Sequence, residues 1–170
     1  CFAAIEELAQ NFKKPVIVKE TGCGISAATA RRCWGAGVRA IDTGGWGGTS
    51  WAAVESVRAD ESGKAGDKKL KSLGEDFAAW GIPTLVSLAS VLATGSPVIA
   101  SGGVRSGLDI AKGLAFGADL CGMALPLLKP AMKDDKALAE VIDTIHRELT
   151  VAMFLTGSAR VADLRKVPLH

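Results

Sequence analysis

The 170-residue chain has no tyrosine and only two histidines, His146 and His170. Any mechanism that demands a histidine base therefore has few candidates. Its four cysteines, Cys1, Cys23, Cys33 and Cys121, are widely and irregularly spaced, with no C-x-x-C pair. That spacing argues against zinc, and a disulfide scaffold is not expected in a chain of this size. Incidental or buried thiols in a reducing compartment fit better, so a cytoplasmic location is expected. No apolar run approaches the roughly 20 residues of a membrane helix, and the N-terminus has no signal-peptide pattern. A net charge of +2 points to neither nucleic acid nor an acidic membrane surface. The one locally basic run, KAGDKKLKSLGED (64–76), is mixed in sign and reads as a solvated loop or helix face.

Apolar residue is plentiful, at 48%, enough for a single domain over 1–170. FAAIEELAQNF (2–12) has helical spacing and no cap before it, like a helix entered partway. PVIVK (15–19) is a short β-branched run of the kind buried on both faces of a parallel sheet. Ser26 is placed to cap a helix over about 27–36, and GVRAID (37–42) is a second strand. A long, partly helical connection follows over 51–79. WGIPT opens a helix with Pro83 in its first turn, running to about Ala93. SPVIAS (96–101) and ADLCGM (118–123) are the third and fourth strands, separated by a helix over 106–117. A last helical region starts at Pro126 and dominates 134–155, with a short helix near 161–166. The alternation predicts an α/β fold of parallel strands with right-handed crossovers. A flavodoxin-like open sheet would satisfy it. Every strand, however, ends in a glycine-bearing loop at the edge where a (β/α)8 barrel builds its site, and such a barrel takes eight strands and about 250 residues. Four strands read as the C-terminal half of a TIM barrel.

In SGGVRSG, Gly102 and Gly103 leave backbone N–H groups free to approach an anion, and the helix starting near Gly107 would add its positive end. GMAL supplies a second row of N–H groups one strand later, and Arg105 a charged donor. Loops near 101–107 and 122–126 thus form a candidate phosphate site. The plainer alternative is that the glycines only permit tight turns. Lys19 ends the first strand, where an ammonium is costly without an anionic partner unless it snorkels to solvent. Glu20 is expected to face away as a turn or ion-pair residue. In TGGWGGTSW the glycines let a flat ring or a backbone turn pass closely, Thr49 offers a hydroxyl, and Trp46 and Trp51 serve either as pocket wall or as packing. A phosphate at one end, a lysine near the centre and glycine ledges between them suit FMN.

VKETGCGIS, AIDTGGWGGTSW, WGIPT, IASGGVRSGLDIAKGLAFGADLCGMA and AMFLTGS together resemble type 2 isopentenyl-diphosphate isomerase, over the C-terminal half of that family. The resemblance implies an FMN-dependent TIM barrel that interconverts isopentenyl and dimethylallyl diphosphate. It further implies reduced FMN acting as the acid–base group, NADPH as reductant, and Mg2+ bridging the diphosphate to the protein. It assigns Lys19 to the flavin ring and Thr49 to the cofactor, and Gly102, Gly103, Val104 and Arg105 to the phosphate cradle with Ala124 and Leu125. Gly44 stands where some members carry a serine, so that hydroxyl contact is missing. The family's metal-binding glutamine–glutamate pair and basic substrate segment are expected upstream of residue 1. No catalytic side chain and no metal ligand is therefore assigned, and Asp42 and Glu55 are not taken as ligands.

Two other FMN barrels share the phosphate loops. The 2-hydroxy-acid oxidases carry a histidine after the second strand, and TGGWGGTSW has none. The inosine-monophosphate dehydrogenase class needs an activated cysteine, and Cys121 lies inside a strand. A different class of reading is an inactive half-barrel that only holds FMN or phosphate. Its two sheet edges would be left to pair with another copy or with a missing N-terminal half.

Overall fold

A computed structural model describes residues 2–62 and 67–169. Cys1, His170 and the start of the basic run lie outside the described residues. The elements are α1 (Phe2–Asn11), β1 (Ile17–Lys19), α2 (Ala27–Gly35), β2 (Ala40–Asp42), α3 (Trp51–Ser62), α4 (Asp67–Asp76) and α5 (Thr84–Leu92). They continue as β3 (Val98–Ala100), α6 (Gly107–Phe116), β4 (Leu120–Cys121), α7 (Leu125–Lys133) and α8 (Asp135–Leu155), and end in a 3-10 helix (Val161–Lys166).

The four strands are parallel and lie in sequence order, β1-β2-β3-β4, with Ile17 opposite Ala40, Ile41 opposite Val98 and Ile99 opposite Leu120. An open doubly wound sheet reverses its order at a switch point. No reversal occurs here, and the architecture is half of a (β/α)8 barrel.

Burial alternates along the strands as barrel geometry requires. Ile41, Val98 and Ala100 are buried against the helices, in one cluster with Ile25, Ala30, Leu88 and Val91. The opposite residues form the inner face. There Ile17 and Leu120 are 52% and 61% exposed. β1 is thus not buried on both faces as its composition predicted. Only its Val18 packs on the helical side, because the four strands supply no opposing layer for the inner one.

The caps explain the helix starts. Ser26 Oγ accepts from Thr29 N–H at 3.2 Å, and Asp134 Oδ1 from Ala137 N–H at 2.6 Å. The single last helical region is in fact two helices, because extended Asp134 ends α7 and caps α8. Pro83 is the N-cap of α5 rather than a first-turn residue, since its extended backbone (ψ 145°) stands outside the helix. The connection between β2 and α5 folds as the hairpin α3–α4, in which Gly74 lets the helices meet against Ala52 and Ser56.

Candidate active site at the strand ends

The loops after all four strands meet over the C-terminal edge of the sheet and enclose a cleft of about 600 Å3, within the range of small-molecule sites. Lys19, Thr49, Gly102, Gly103, Val104, Arg105, Ala124 and Leu125 all line it. Gly122 and Met123 of the GMAL segment line it too, as do Asp42 and Ser101, to whose side chains sequence reasoning gave no role.

The floor is an ion pair tied to a hydroxyl. Lys19 Nζ stands 3.3 Å from Asp42 Oδ1 and 3.2 Å from Ser101 Oγ. Ser101 donates in turn to Asp42 Oδ1, and Gly44 N–H reaches both acceptors at 3.2 Å. The anionic partner that Lys19 demanded is therefore within the chain. Its signal was legible: Lys19 and Asp42 end neighbouring strands, and parallel register puts them side by side. Glu20 is a turn residue, its carboxylate accepting from Gly22 and Cys23 N–H at 2.7 and 2.6 Å. Glu55 pairs with Arg58 at 2.6 Å.

The glycines do more than admit a ligand. A Cβ on Gly102 would overlap the backbone of Gly45, and one on Gly103 the Gly47 carbonyl. The loop after β3 thus lies directly on the loop after β2, and it is a backbone turn that passes closely there. Gly45 N–H donates to Ser101 O at 2.8 Å, fixing the contact. Trp46 belongs to the same packing, exchanging backbone hydrogen bonds with Ile82 and Thr84 at 2.9 and 3.2 Å. Trp51, at the start of α3, forms a wall of the cleft.

Two rows of backbone face the cleft, from the loop after β3 and from the start of α7. The helix end expected to attract an anion was that of α6, and here the structure corrects the expectation. Gly107 N–H donates to Glu148 Oε2 at 2.6 Å, Asp109 N–H to Ser106 Oγ at 3.1 Å and Arg105 N–H to Asp109 Oδ2 at 3.0 Å. The start of α6 is thus already capped by acceptors, two of them carboxylates. α7 differs: it has no side-chain cap and no acidic residue in its first turn, and its N-cap Ala124 and first residue Leu125 line the cleft. Its positive end is the one left for an anion. Among the described residues, the N–H groups of Gly103 and Val104 also have no acceptor. Among the described residues, the Arg105 guanidinium bonds only the Gly47 carbonyl, at 3.4 Å.

Among the described residues lining the cleft there is no histidine and no cysteine. His146 lies exposed on α8. Burial pushes the Cys121 thiol up to about 11, which keeps it protonated and inert. Among the described residues, no group of three or more His, Cys, Asp or Glu could hold a metal ion.

The profile of the family described as FMN-dependent dehydrogenase matches residues 1–169. The chain belongs to that family. Among its curated relatives, isopentenyl-diphosphate delta-isomerase of Methanoregula boonei is 68% identical over 169 residues, 99% of this chain and 47% of the relative. Proteins of the same name from Methanothrix thermoacetophila and Halobacterium salinarum are 47% and 46% identical, over 94% and 98% of this chain and 44% and 46% of their own lengths. The chain spans about half the length of these relatives, and its resemblance to isopentenyl-diphosphate isomerases extends along its whole described length. Solved structures give the fold at lower identity. A mandelate oxidase variant with (S)-mandelic acid superposes with TM-score 0.70 at 21% identity, covering 99% of this chain and 42% of that one. An active chimera of (S)-mandelate dehydrogenase gives 0.69 at 22%, covering 96% and 38%.

Proposed function

We propose that this chain is the flavin-holding half of an isopentenyl-diphosphate isomerase, with the FMN phosphate held by the loops after β3 and β4. The observation that carries the reading is the pair of N–H rows without acceptors among the described residues, from Gly103 and Val104 and from Met123, Ala124 and Leu125 at the entry to α7, both lining one cleft. An anion there meets partial positive charge from both rows and the Arg105 guanidinium. Lys19 and Thr49 then meet the ring, while the glycine backbone of the β2 and β3 loops gives a flat ledge without side chains in the way. FMN would supply, when reduced by NADPH, an acid–base group beside the paired Lys19 and Asp42. The residues of this chain bind the phosphate, orient the ring and hold a cation near it.

The substrate in this reading is isopentenyl or dimethylallyl diphosphate. Mg2+ would neutralise the diphosphate, the described residues offer no ligand cluster for it, and the chain by itself is inactive as an isomerase. Its inner face, with Ile17 and Leu120 bare, fits a second half-barrel, either another copy or a complementary one. The 2-hydroxy-acid oxidase reading is weaker, because among the described residues lining the cleft there is no histidine.

FMN fluorescence titrated with the purified chain tests the assignment. Saturable quenching is expected, weakened by Arg105→Glu and competed by inorganic phosphate. Quenching that is absent, or indifferent to both, contradicts it.

A further inference from the structure

The ion pair on the cleft floor is unevenly anchored. The Asp42 side chain is 13% exposed and Ser101 is buried, whereas the Lys19 side chain is 55% exposed. The carboxylate is fixed by Gly44 N–H and by the Ser101 hydroxyl, so the ammonium is the mobile member. A free lysine side chain spreads over many rotamers. Two acceptors from adjacent strand ends, at 3.3 and 3.2 Å, select the one that lies across the strand ends. Only Oδ1 of Asp42 is engaged in these bonds. Oδ2 has no hydrogen-bond partner among the described residues and lies on the side of Gly122, whose missing Cβ would stand 4.0 Å from it. A ring over the strand ends meets a positioned cation with a compensating anion behind it.

We propose that Asp42, together with Ser101, is a positioning residue that fixes the Lys19 ammonium at the cleft floor and thereby sets the electron affinity of a flavin bound there. The proposal rests on the FMN reading above. A reduced ring is the more electron-rich state, so a fixed ammonium favours it and a carboxylate disfavours it. An ammonium free to wander into solvent loses most of that influence.

Removing Asp42 therefore has two opposed effects: the anion is lost, and so is the hold on Lys19. Removing the Ser101 hydroxyl has the second effect alone. Midpoint potentials of the FMN-loaded chain separate them in a double-mutant cycle. Ser101→Ala lowers the potential when Lys19 is present and leaves it unchanged in a Lys19→Met background. Asp42→Asn raises the potential more in the Lys19→Met background than in the wild type. Equal shifts in both backgrounds would show that the residues act independently of Lys19 and overturn the proposal. A purely structural role would lower thermal stability without these dependences.

A second measurement needs no flavin. In the 15N-lysine spectrum of the apoprotein, Lys19 gives a slowly exchanging ammonium resonance that is weakened in Ser101→Ala and lost in Asp42→Asn, with the other lysines unchanged. A Lys19 signal indifferent to both changes overturns the positioning role. A wild-type chain that takes up no FMN overturns the FMN reading instead, and the lysine resonance still decides the positioning of Lys19.

Discussion

Gly102 and Gly103 have φ of +102° and +82°, in the left-handed region that side chains avoid, and a methyl on either would also strike the facing loop. Gly102→Ala is expected to cost about 2–3 kcal/mol, the scale of one strained backbone position in a packed loop. Urea denaturation reads this directly, and a midpoint equal to wild type would contradict the loop-on-loop packing. The cysteines give a second residue-scale test. Cys23 is exposed, Cys33 is buried, and burial raises both the Cys33 and Cys121 thiols above the usual range. Iodoacetamide at pH 8, followed by peptide mass mapping, is expected to modify Cys23 well before Cys33 or Cys121. Early labelling of Cys121 would mean that β4 does not bury it. The position of the glycines was legible in the sequence, but half of their reason was not. That the loops after β2 and β3 press backbone against backbone depends on two segments nearly 60 residues apart, and no local pattern records it.

Asp119 ties three elements together just before β4. Its Oδ2 accepts from Val98 N–H at 2.8 Å at the start of β3, and its Oδ1 takes the Arg165 guanidinium at 2.6 Å from the 3-10 helix. Partial burial raises its pKa, but the Val98 N–H and Arg165 outweigh that and hold it below the ordinary carboxylate value. A depressed folded-state pKa means stability that is present above the unfolded value, about 4, and is lost as pH falls through the folded one. Asp119→Asn is thus expected to destabilise the chain at pH 7, with a gap that narrows as pH falls below about 4, as urea melts across that range would show. A stability gap that does not narrow on acidification would contradict the ionic origin. Asp119→Ala, which also strips the buried Val98 N–H of its acceptor, is expected to cost about 1–2 kcal/mol at pH 7. Local signals located most elements well, because Ser26, Ser106 and Asp134 cap helices through residues three positions on. The start of α6 is where local reading failed. Its closing acceptor, Glu148, arrives from 41 residues away on α8, and so the open helix end is that of α7 instead.

The molecule as a whole is a half-barrel whose inner face leaves Ile17 and Leu120 exposed and whose strand ends carry a formed cleft. Sequential parallel order was legible in the alternation of short apolar runs and helices. The exposure of the inner face was not, because a β-branched run reads the same whether or not a second layer covers it. Ile17 and Leu120 on that face are expected to drive association. Light scattering should show a species larger than one chain for the wild type and a monomer for the Ile17→Asp/Leu120→Asp variant, with unchanged far-UV circular dichroism. A wild type that stays monomeric at all concentrations would contradict self-pairing of this face. Whether these strand ends hold FMN is read from a sizing column run with the chain and FMN, monitored for protein and flavin absorbance together. Flavin absorbance is expected to coincide with a protein peak of one defined size. A folded, monodisperse protein peak with the flavin trailing alone would contradict the FMN reading.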